Sequence, residues 1–265
     1  KKLLQEHLSS GKRVGYIGFD PSRSALTIGN LLQLKILMHW QQDGHIPLIL
    51  IGGGTGLIGD PSGKDQERKL LDYEKSKANA NSQEKIIRRL LDFNCSNPPI
   101  IVNNYSWLSE LKYIDVLRDI GKYFSINSML QKDSVRDRLN NREQGISYTE
   151  FSYMILQAYD FLYLRKEYDC TVQLAGSDQY GNIVSGIDLI RREFQNKPEN
   201  YPRGWGITTP LLTDSEGKKI GKTEDGAIWL DPLMTSSYKF YQFWLNQKDK
   251  DLRNMLNWFT FLDDK

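Results

Sequence analysis

The chain has 265 residues, of which 35 are basic and 33 acidic, a net charge of +2; this balance excludes a histone-like or acidic-tail protein and confines any nucleic-acid contact to a local patch. With 39% hydrophobic and 26% charged residues, it has the make-up of a folded globular protein rather than a disordered one. The longest apolar run, Ile46 to Ile51 around Pro47, falls far short of the roughly 20 residues that a membrane-spanning helix needs.

In chain order, Val14 to Phe19 forms a short apolar strand that ends at Asp20-Pro21, because proline removes a ladder donor and restricts its predecessor. Leu31 to Trp40 is dense enough in apolar residues for a buried helix, stopped by Asp43-Gly44. Leu48 to Ile51 is a second strand, and Gly52-Gly53-Gly54-Thr55-Gly56 turns the chain into Leu57-Ile58-Gly59-Asp60-Pro61, with glycines that permit close backbone approach. A charged amphipathic stretch, Asp72 to Phe93, predicts a helix, and Ile100 to Asn103 a strand after Pro98-Pro99. Residues from about 105 to 165 read as a mostly helical insertion, with Glu150 to Tyr163 its clearest helix. Thr171 to Ala175 is a further strand, Gly176-Ser177-Asp178 opens a helix towards Arg192, and Ile207 to Leu212 is the last strand.

Strands separated by helical crossovers predict an α/β fold, a Rossmann-like doubly wound parallel sheet with a mostly helical insertion. In such a sheet ligands bind outside the carboxyl ends of the strands, where Asp20, Gly52 and Gly176 would lie. No repeat or low-complexity tract is present. Cys95 and Cys170 have no CxxC companion, and His7, His39 and His45 are dispersed, so neither a disulfide framework nor a metal site is expected and a reducing compartment fits. The chain starts at Lys1 without methionine and stops at Asp264-Lys265 after a helical run, so both ends read as boundaries within a longer protein.

Two motifs are rejected. Gly54-Thr55-Gly56-Leu57-Ile58-Gly59 satisfies GxGxxG after a strand, but Asp60-Pro61-Ser62-Gly63 breaks the helix a dinucleotide fold requires. Gly63-Lys64 resembles the end of a P-loop, yet Ile58 stands where the first glycine belongs and Asp65 replaces the magnesium-binding hydroxyl.

The informative signal is a distant pair: Asp20-Pro21-Ser22-Arg23-Ser24-Ala25-Leu26-Thr27-Ile28-Gly29-Asn30 after the first strand, and Lys219-Ile220-Gly221-Lys222-Thr223 after the last. The first offers a glycine against which a nucleotide ring can lie, small polar side chains, and a helix start aimed at phosphate. In the second, lysines can neutralise a polyphosphate leaving group as charge develops on it. Gly217 to Lys222 alone reads better as a solvated basic hairpin, and only its company reverses that reading. That company is Gly53 to Gly63, Phe151-Ser152-Tyr153 with Leu156-Gln157-Ala158-Tyr159-Asp160-Phe161, and Gly176-Ser177-Asp178-Gln179-Tyr180-Gly181-Asn182. With these segments the chain resembles the catalytic domain of the tyrosyl-tRNA synthetases of bacterial or organellar type, class I aminoacyl-tRNA synthetases, from about Val14 to Phe261.

The resemblance implies an enzyme, a tyrosine-tRNA ligase. Tyrosine carboxylate attacks the α-phosphate of ATP, tyrosyl-adenylate and pyrophosphate form, and the tyrosyl group passes to the 3′ end of tRNA(Tyr). It implies that Tyr16 and Asp160 hold the phenol. Asp60, Tyr153 and Gln157 meet the ammonium, and Gln173 and Gln179 line the same end. Asp20, Gly29, Asn30, Gly176 and Asp178 bind ATP, while Lys219, Lys222, Thr223, Thr27 and Ser22 stabilise transition-state charge. Magnesium accompanies ATP, with no tightly bound cofactor. A buried carboxylate and a tyrosyl hydroxyl that bind a phenol are left unpaired when phenylalanine enters, so discrimination needs no editing.

The resemblance further implies a homodimer through the region of Phe124 to Leu139, a cytoplasmic location with the mitochondrial matrix as alternative, and no membrane. The segment from about 207 to 265 comprises the last strand, the lysine loop and the start of a helical linker, and the anticodon-binding domain of the family is absent from this chain. The expectation is therefore adenylate formation without full tRNA charging by residues 1–265. Arg191, Arg192 and Lys197 are candidates to contact the acceptor arm. The sequence departs from the family pattern at Thr27 and Asn30, which replace the two histidines of the HIGH-type motif, at Ala175 for glycine, and at Tyr180 for tryptophan. Another nucleotidylyl transferase of the same superfamily would lack the tyrosine-pocket residues, and a non-catalytic RNA-binding derivative would have no use for Lys219, Lys222 and Asp178.

Overall fold

The computed structural model describes residues 1–62, 70–132, 135, 136, 139, 145–198, 203–217, 220–223 and 226–262, with the backbone alone at 222 and 223. After a first helix, α1 (Lys2–Ser9), the chain builds a five-stranded sheet from β1 (Val14–Phe19), β2 (Ile46–Ile51), β3 (Ile100–Asn103), β4 (Cys170–Gly176) and β5 (Trp205–Thr209). All neighbours are parallel, in the order β3-β2-β1-β4-β5. The chain winds outward to β3, then returns to the other side of β1, so the winding reverses between β1 and β4, where doubly wound sheets open a crevice.

The crossovers are α2 (Ile28–Gln42), then one short turn, α3 (Thr55–Ile58), followed by α4 (Tyr73–Arg88). Between β3 and β4 lie α5 (Tyr105–Leu108), α6 (Tyr113–Asp115), a π turn at Val116–Ile120, a 3-10 turn at Gly121–Tyr123, α7 (Ile126–Leu130) and the 20-residue α8 (Tyr148–Glu167). α9 (Tyr180–Glu193) leads to β5. A two-stranded hairpin, β6 (Lys222–Thr223) and β7 (Gly226–Ala227), precedes α10 (Ser237–Leu245) and α11 (Asp249–Phe259).

Among the boundaries that differ from the sequence reading, three have a clear local reason. α2 begins at Ile28 rather than Leu31, because Thr27 caps it: Thr27 N donates to Asn30 Oδ1 at 2.9 Å. β5 stops at Thr209 rather than Leu212, where Pro210 lacks the N–H that a ladder needs. α4 ends at Arg88 instead of Phe93, as Leu90 N and Leu91 N both turn back to Ile87 O. Its start is held by Asp72, whose side chain accepts from Lys75 N at 2.9 Å. Pro47 is accommodated in β2 because pairing with β3 begins only at Leu48.

β1 sends alternate side chains to opposite faces, as a pleated strand must. Ile17 and Phe19 pack with Leu34, Leu37 and Trp40 of α2 and Ile87 of α4. Tyr16 joins Phe161 and Leu164 of α8 and Leu189 and Ile190 of α9 on the other face. A third cluster, Ile28, Leu32, Leu212, Ile228 and Met255, ties α2 to the C-terminal segment.

Gly15 exists to let α2 approach β1. A Cβ there would lie 2.7 Å from the Trp40 ring and 3.0 Å from Leu174, and Trp40 Nε1 is tethered to Ile46 O at 3.1 Å. Gly15→Ala is expected to lower stability by about 1–3 kcal/mol, read as a lower urea midpoint with an unchanged denaturant slope; an unchanged midpoint would show that the indole yields.

Candidate active site

A cavity of about 620 Å³ opens at the carboxyl ends of β1 and β4. Its walls include Tyr16, Asp20, Ser22, Thr27, Gly29, Asn30, Asp60, Tyr153, Gln157, Asp160, Gln173, Gly176, Asp178 and Gln179, so residues spread over more than half the sequence converge there. Lys219 lies outside the described residues, and of Lys222 and Thr223 only the backbone is described. A second cavity, of about 490 Å³, is bounded by Leu31, Ile86, Leu90 and Phe240 and lies away from this chemistry.

At the inner end Asp160 of α8 is 1% exposed. Trp107 Nε1 donates to its Oδ1 and Asn104 Nδ2 to its Oδ2, both at 2.8 Å. Burial nevertheless outweighs these two donors and raises the Asp160 carboxyl to about 8. Trp107 is held by stacking on Tyr163, with ring centroids 4.2 Å apart. Asn104 is fully buried; its Oδ1 accepts from Gly54 N at 2.8 Å and its Nδ2 also donates to Thr55 Oγ1 at 3.0 Å. Thr55 Oγ1 donates in turn to Asp20 Oδ1 at 2.8 Å, and Tyr153 OH donates to Asp20 Oδ2 at 2.9 Å. Burial, then the Asp20 charge, pushes the Tyr153 phenol well up, and burial followed by Asp160 does the same to Tyr16.

A second network surrounds Asp60. Its Oδ2 accepts from Gln179 Nε2 at 2.7 Å and its Oδ1 from Ser62 N at 2.9 Å. Gln179 Oε1 accepts from Gln157 Nε2 at 3.2 Å and from Asn182 Nδ2 at 3.1 Å, and Asn182 Nδ2 also reaches Gln157 Oε1 at 2.9 Å. Each amide is thereby oriented around one carboxylate, as recognition of a small cation requires.

At the outer end, Thr27 Oγ1 donates to Asn30 Oδ1 at 3.0 Å, so these two side chains satisfy one another. A Cβ on Gly29 would meet only Thr27 Oγ1, at 3.6 Å, whereas one on Gly52 would lie 2.0 Å from Asp20 Oδ1. The two distant motifs meet here. Ile28 N donates to Ile228 O at 3.1 Å, Leu230 N to Leu26 O at 2.8 Å, and Thr27 bridges Trp229. Ile228 N bonds Gly221 O at 3.0 Å, and Gly221, at φ +90°, packs on Ile28, whose Cγ2 a Cβ would approach to 2.9 Å. The root of the lysine loop is thus fastened beside Gly29.

Among the described residues, four buried side-chain atoms have no hydrogen-bond partner: Tyr16 Oη, Gln33 Oε1, Gln83 Oε1 and Gln173 Oε1. All four residues line this cavity. Orphaned buried polar groups are costly and uncommon, so their concentration in one cavity marks a place that receives a polar ligand. Among the described residues no group of three His, Cys, Asp or Glu side chains is placed to hold a metal ion. Arg191 and Arg192 both pair with Asp188, at 2.6 and 2.7 Å.

Sequence reasoning missed Thr55, Asn104, Trp107 and Asn182, as well as Gln33, Asn79 and Gln83. Asn104 follows β3 directly, and its place at a strand's carboxyl end was a usable signal; Thr55 and Asn182 stand inside two of the quoted motifs, a signal as well, whereas Trp107, Gln33, Asn79 and Gln83 sit in helices with nothing local to distinguish them.

Sheet order, the crevice at the winding reversal and the joined motifs define a nucleotide-binding α/β catalytic domain. Residues 10–265 match the class I tRNA synthetases (W and Y), and the chain belongs to that family. It is 51% identical over 263 residues to tyrosine–tRNA ligase 2 of Enterococcus faecalis, covering 99% of this chain and 60% of that protein. It is 49% identical to tyrosine–tRNA ligase of Escherichia coli K12, covering 99% and 61%. Its fold is similar to a C-terminally truncated mitochondrial tyrosyl-tRNA synthetase of Coccidioides posadasii, with a TM-score of 0.84, 31% identity, and 99% and 74% of the two chains covered. The chain thus spans about 60% of the length of these bacterial relatives.

The Asp160 carboxyl titrates at about 8 here and near 4 in an unfolded chain. Between those values the native state holds a proton that the unfolded state has lost. The resulting stabilisation is complete below pH about 4 and is lost as pH rises to about 8, at up to ~1.4 kcal/mol per pH unit. Asp160→Asn removes this dependence. Urea unfolding of both proteins between pH about 5 and about 8 is expected to show a stability difference that varies with pH; a constant difference contradicts the assignment.

Proposed function

We propose that the chain activates tyrosine with ATP, forming tyrosyl-adenylate and pyrophosphate, as the first half of a tyrosine-tRNA ligase reaction. The observation that carries this reading is the unpaired Tyr16 Oη in the same buried end of the cavity as Asp160. A phenol entering there donates to one and accepts from the other, and phenylalanine leaves both unsatisfied.

The ammonium is met by Asp60, with Tyr153, Gln157 and Gln179 around it, and Gln173 Oε1 faces the same ligand. This aims the tyrosine carboxylate at the outer half of the cavity, where Gly29 and Asn30 take the base, Gly176 and Asp178 the ribose, and Asp20 lies near the reacting centre. A carboxylate oxygen bonds to the α-phosphorus as the bond to the bridging oxygen breaks, and that oxygen leaves with the electron pair on pyrophosphate. Ser22, Thr27, Lys219, Lys222 and Thr223 offset the charge that develops there, so the rate comes from positioning and electrostatics, without a protein nucleophile. Magnesium arrives with ATP as its counter-ion.

Transfer to tRNA(Tyr) belongs to the longer protein that the relatives represent. A homodimer is supported by exposed Ile126, Leu130 and Leu139 in the segment from Phe124 to Leu139. The roughly half-identical bacterial relatives favour bacterial cytoplasm as the location over a mitochondrial matrix.

Amino-acid-dependent exchange of pyrophosphate into ATP tests the reading. Exchange is expected with tyrosine and not with phenylalanine or tryptophan; a folded chain that exchanges with none of the three contradicts it. Tyr16→Phe is expected to narrow the tyrosine-over-phenylalanine preference in kcat/KM by about tenfold or more, with little loss in the rate at saturating tyrosine.

A further inference from the structure

The described side chains lining the cavity include four carboxylates, Asp20, Asp60, Asp160 and Asp178, and a single cation, Arg23. A nucleoside triphosphate brings several more negative charges to this acidic wall. Thr27 and Asn30 are neutral, and the Thr27 hydroxyl is donated to Asn30 Oδ1. Arg23 stands in the loop between β1 and α2, next to Ser22, and the backbone of that loop is held from three sides. Gln83 Nε2 donates to Arg23 O at 2.9 Å, Asn79 Nδ2 donates to Pro21 O at 2.9 Å, and Ser22 N closes a turn on Asp20 O at 2.8 Å. The base of Arg23 is therefore fixed while its side chain is exposed, and among the described residues no carboxylate pairs with its guanidinium.

We infer that Arg23 is a phosphate-binding catalytic residue, whose guanidinium closes over the cavity mouth and binds the terminal phosphates of the nucleotide as a two-pronged donor. It holds them as the bond between the α-phosphorus and the bridging oxygen breaks and the electron pair leaves on pyrophosphate. Fixed backbone and free side chain suit that task, since the loop supplies position and, among the described residues, no ion pair competes for the fork. The inference rests on the activation chemistry proposed above, and two assays separate the failure of one from the failure of the other.

In tyrosine-dependent exchange, Arg23→Ala is expected to lower kcat/KM for ATP by on the order of 10²-fold and to leave KM for tyrosine unchanged. Arg23→Lys should recover part of the loss, a point charge without the fork. In calorimetric titration with inorganic triphosphate, and no amino acid present, Arg23→Ala is expected to bind about tenfold or more weakly, with a shallower salt dependence. The thermal midpoint should not move, because the side chain is exposed and unpaired. Unchanged triphosphate affinity overturns the inference whatever exchange shows, and so does a rise in KM for tyrosine that equals the rise for ATP. Weaker triphosphate binding by Arg23→Ala, in a chain that carries out no exchange, upholds Arg23 as the phosphate ligand and overturns the activation chemistry alone.

Discussion

The buried amide of Asn104 is the interaction on which the site depends. One side chain links Gly54 in the turn after β2, Thr55 at the start of α3, and Asp160 on α8, and through Thr55 it reaches Asp20 at the end of β1. Four separate elements thereby take their mutual positions from one hydrogen-bonded unit. In a low-dielectric interior such a network is strong when complete and costly when any member is missing. It also explains why a carboxyl can sit at 1% exposure: both its oxygens receive donors, yet burial still raises its proton affinity.

The outer half of the site is organised differently, by backbone. The pairing of Leu26 and Ile28 with Leu230 and Ile228 joins two motifs some 200 positions apart in the chain without using any catalytic side chain. The lysine loop can thus be carried on a short hairpin rooted against α2. A rigid root beneath a loop of cations suits chemistry in which charge must be met as it develops on a leaving group.

Charge within the cavity follows the same division. The inner half gathers its carboxylates into hydrogen-bonded networks around Asp60 and Asp160, suited to an ammonium and a phenol. The outer half carries Arg23 as the one cation among the described side chains lining the cavity. Under the proposed activation chemistry, this separation would orient a zwitterionic amino acid with its carboxylate aimed away from the acids and towards the nucleotide.

Much of this was legible in the sequence because it is written in local chemistry. Apolar runs bounded by proline or glycine mark each strand, Asp72 announces the start of α4, and fourteen of the candidate site residues meet in one cavity. Where the reading slipped, at the start of α2 and the end of β5, a cap or a missing N–H moved the boundary by a few residues. The sequence by itself determined the five strands of the sheet, the main crossover helices and their alternation as a parallel α/β fold, and it nominated the candidate side chains that line the cavity. Only the tertiary structure decided the strand order, the joining of residues 26–28 to residues 228–230, and the supporting roles of Asn104, Trp107, Thr55 and Gln83. Those residues act on partners 35 or more positions away, and a hydrogen bond across such a distance leaves no periodicity in the chain; it exists only when burial removes water as the competing partner.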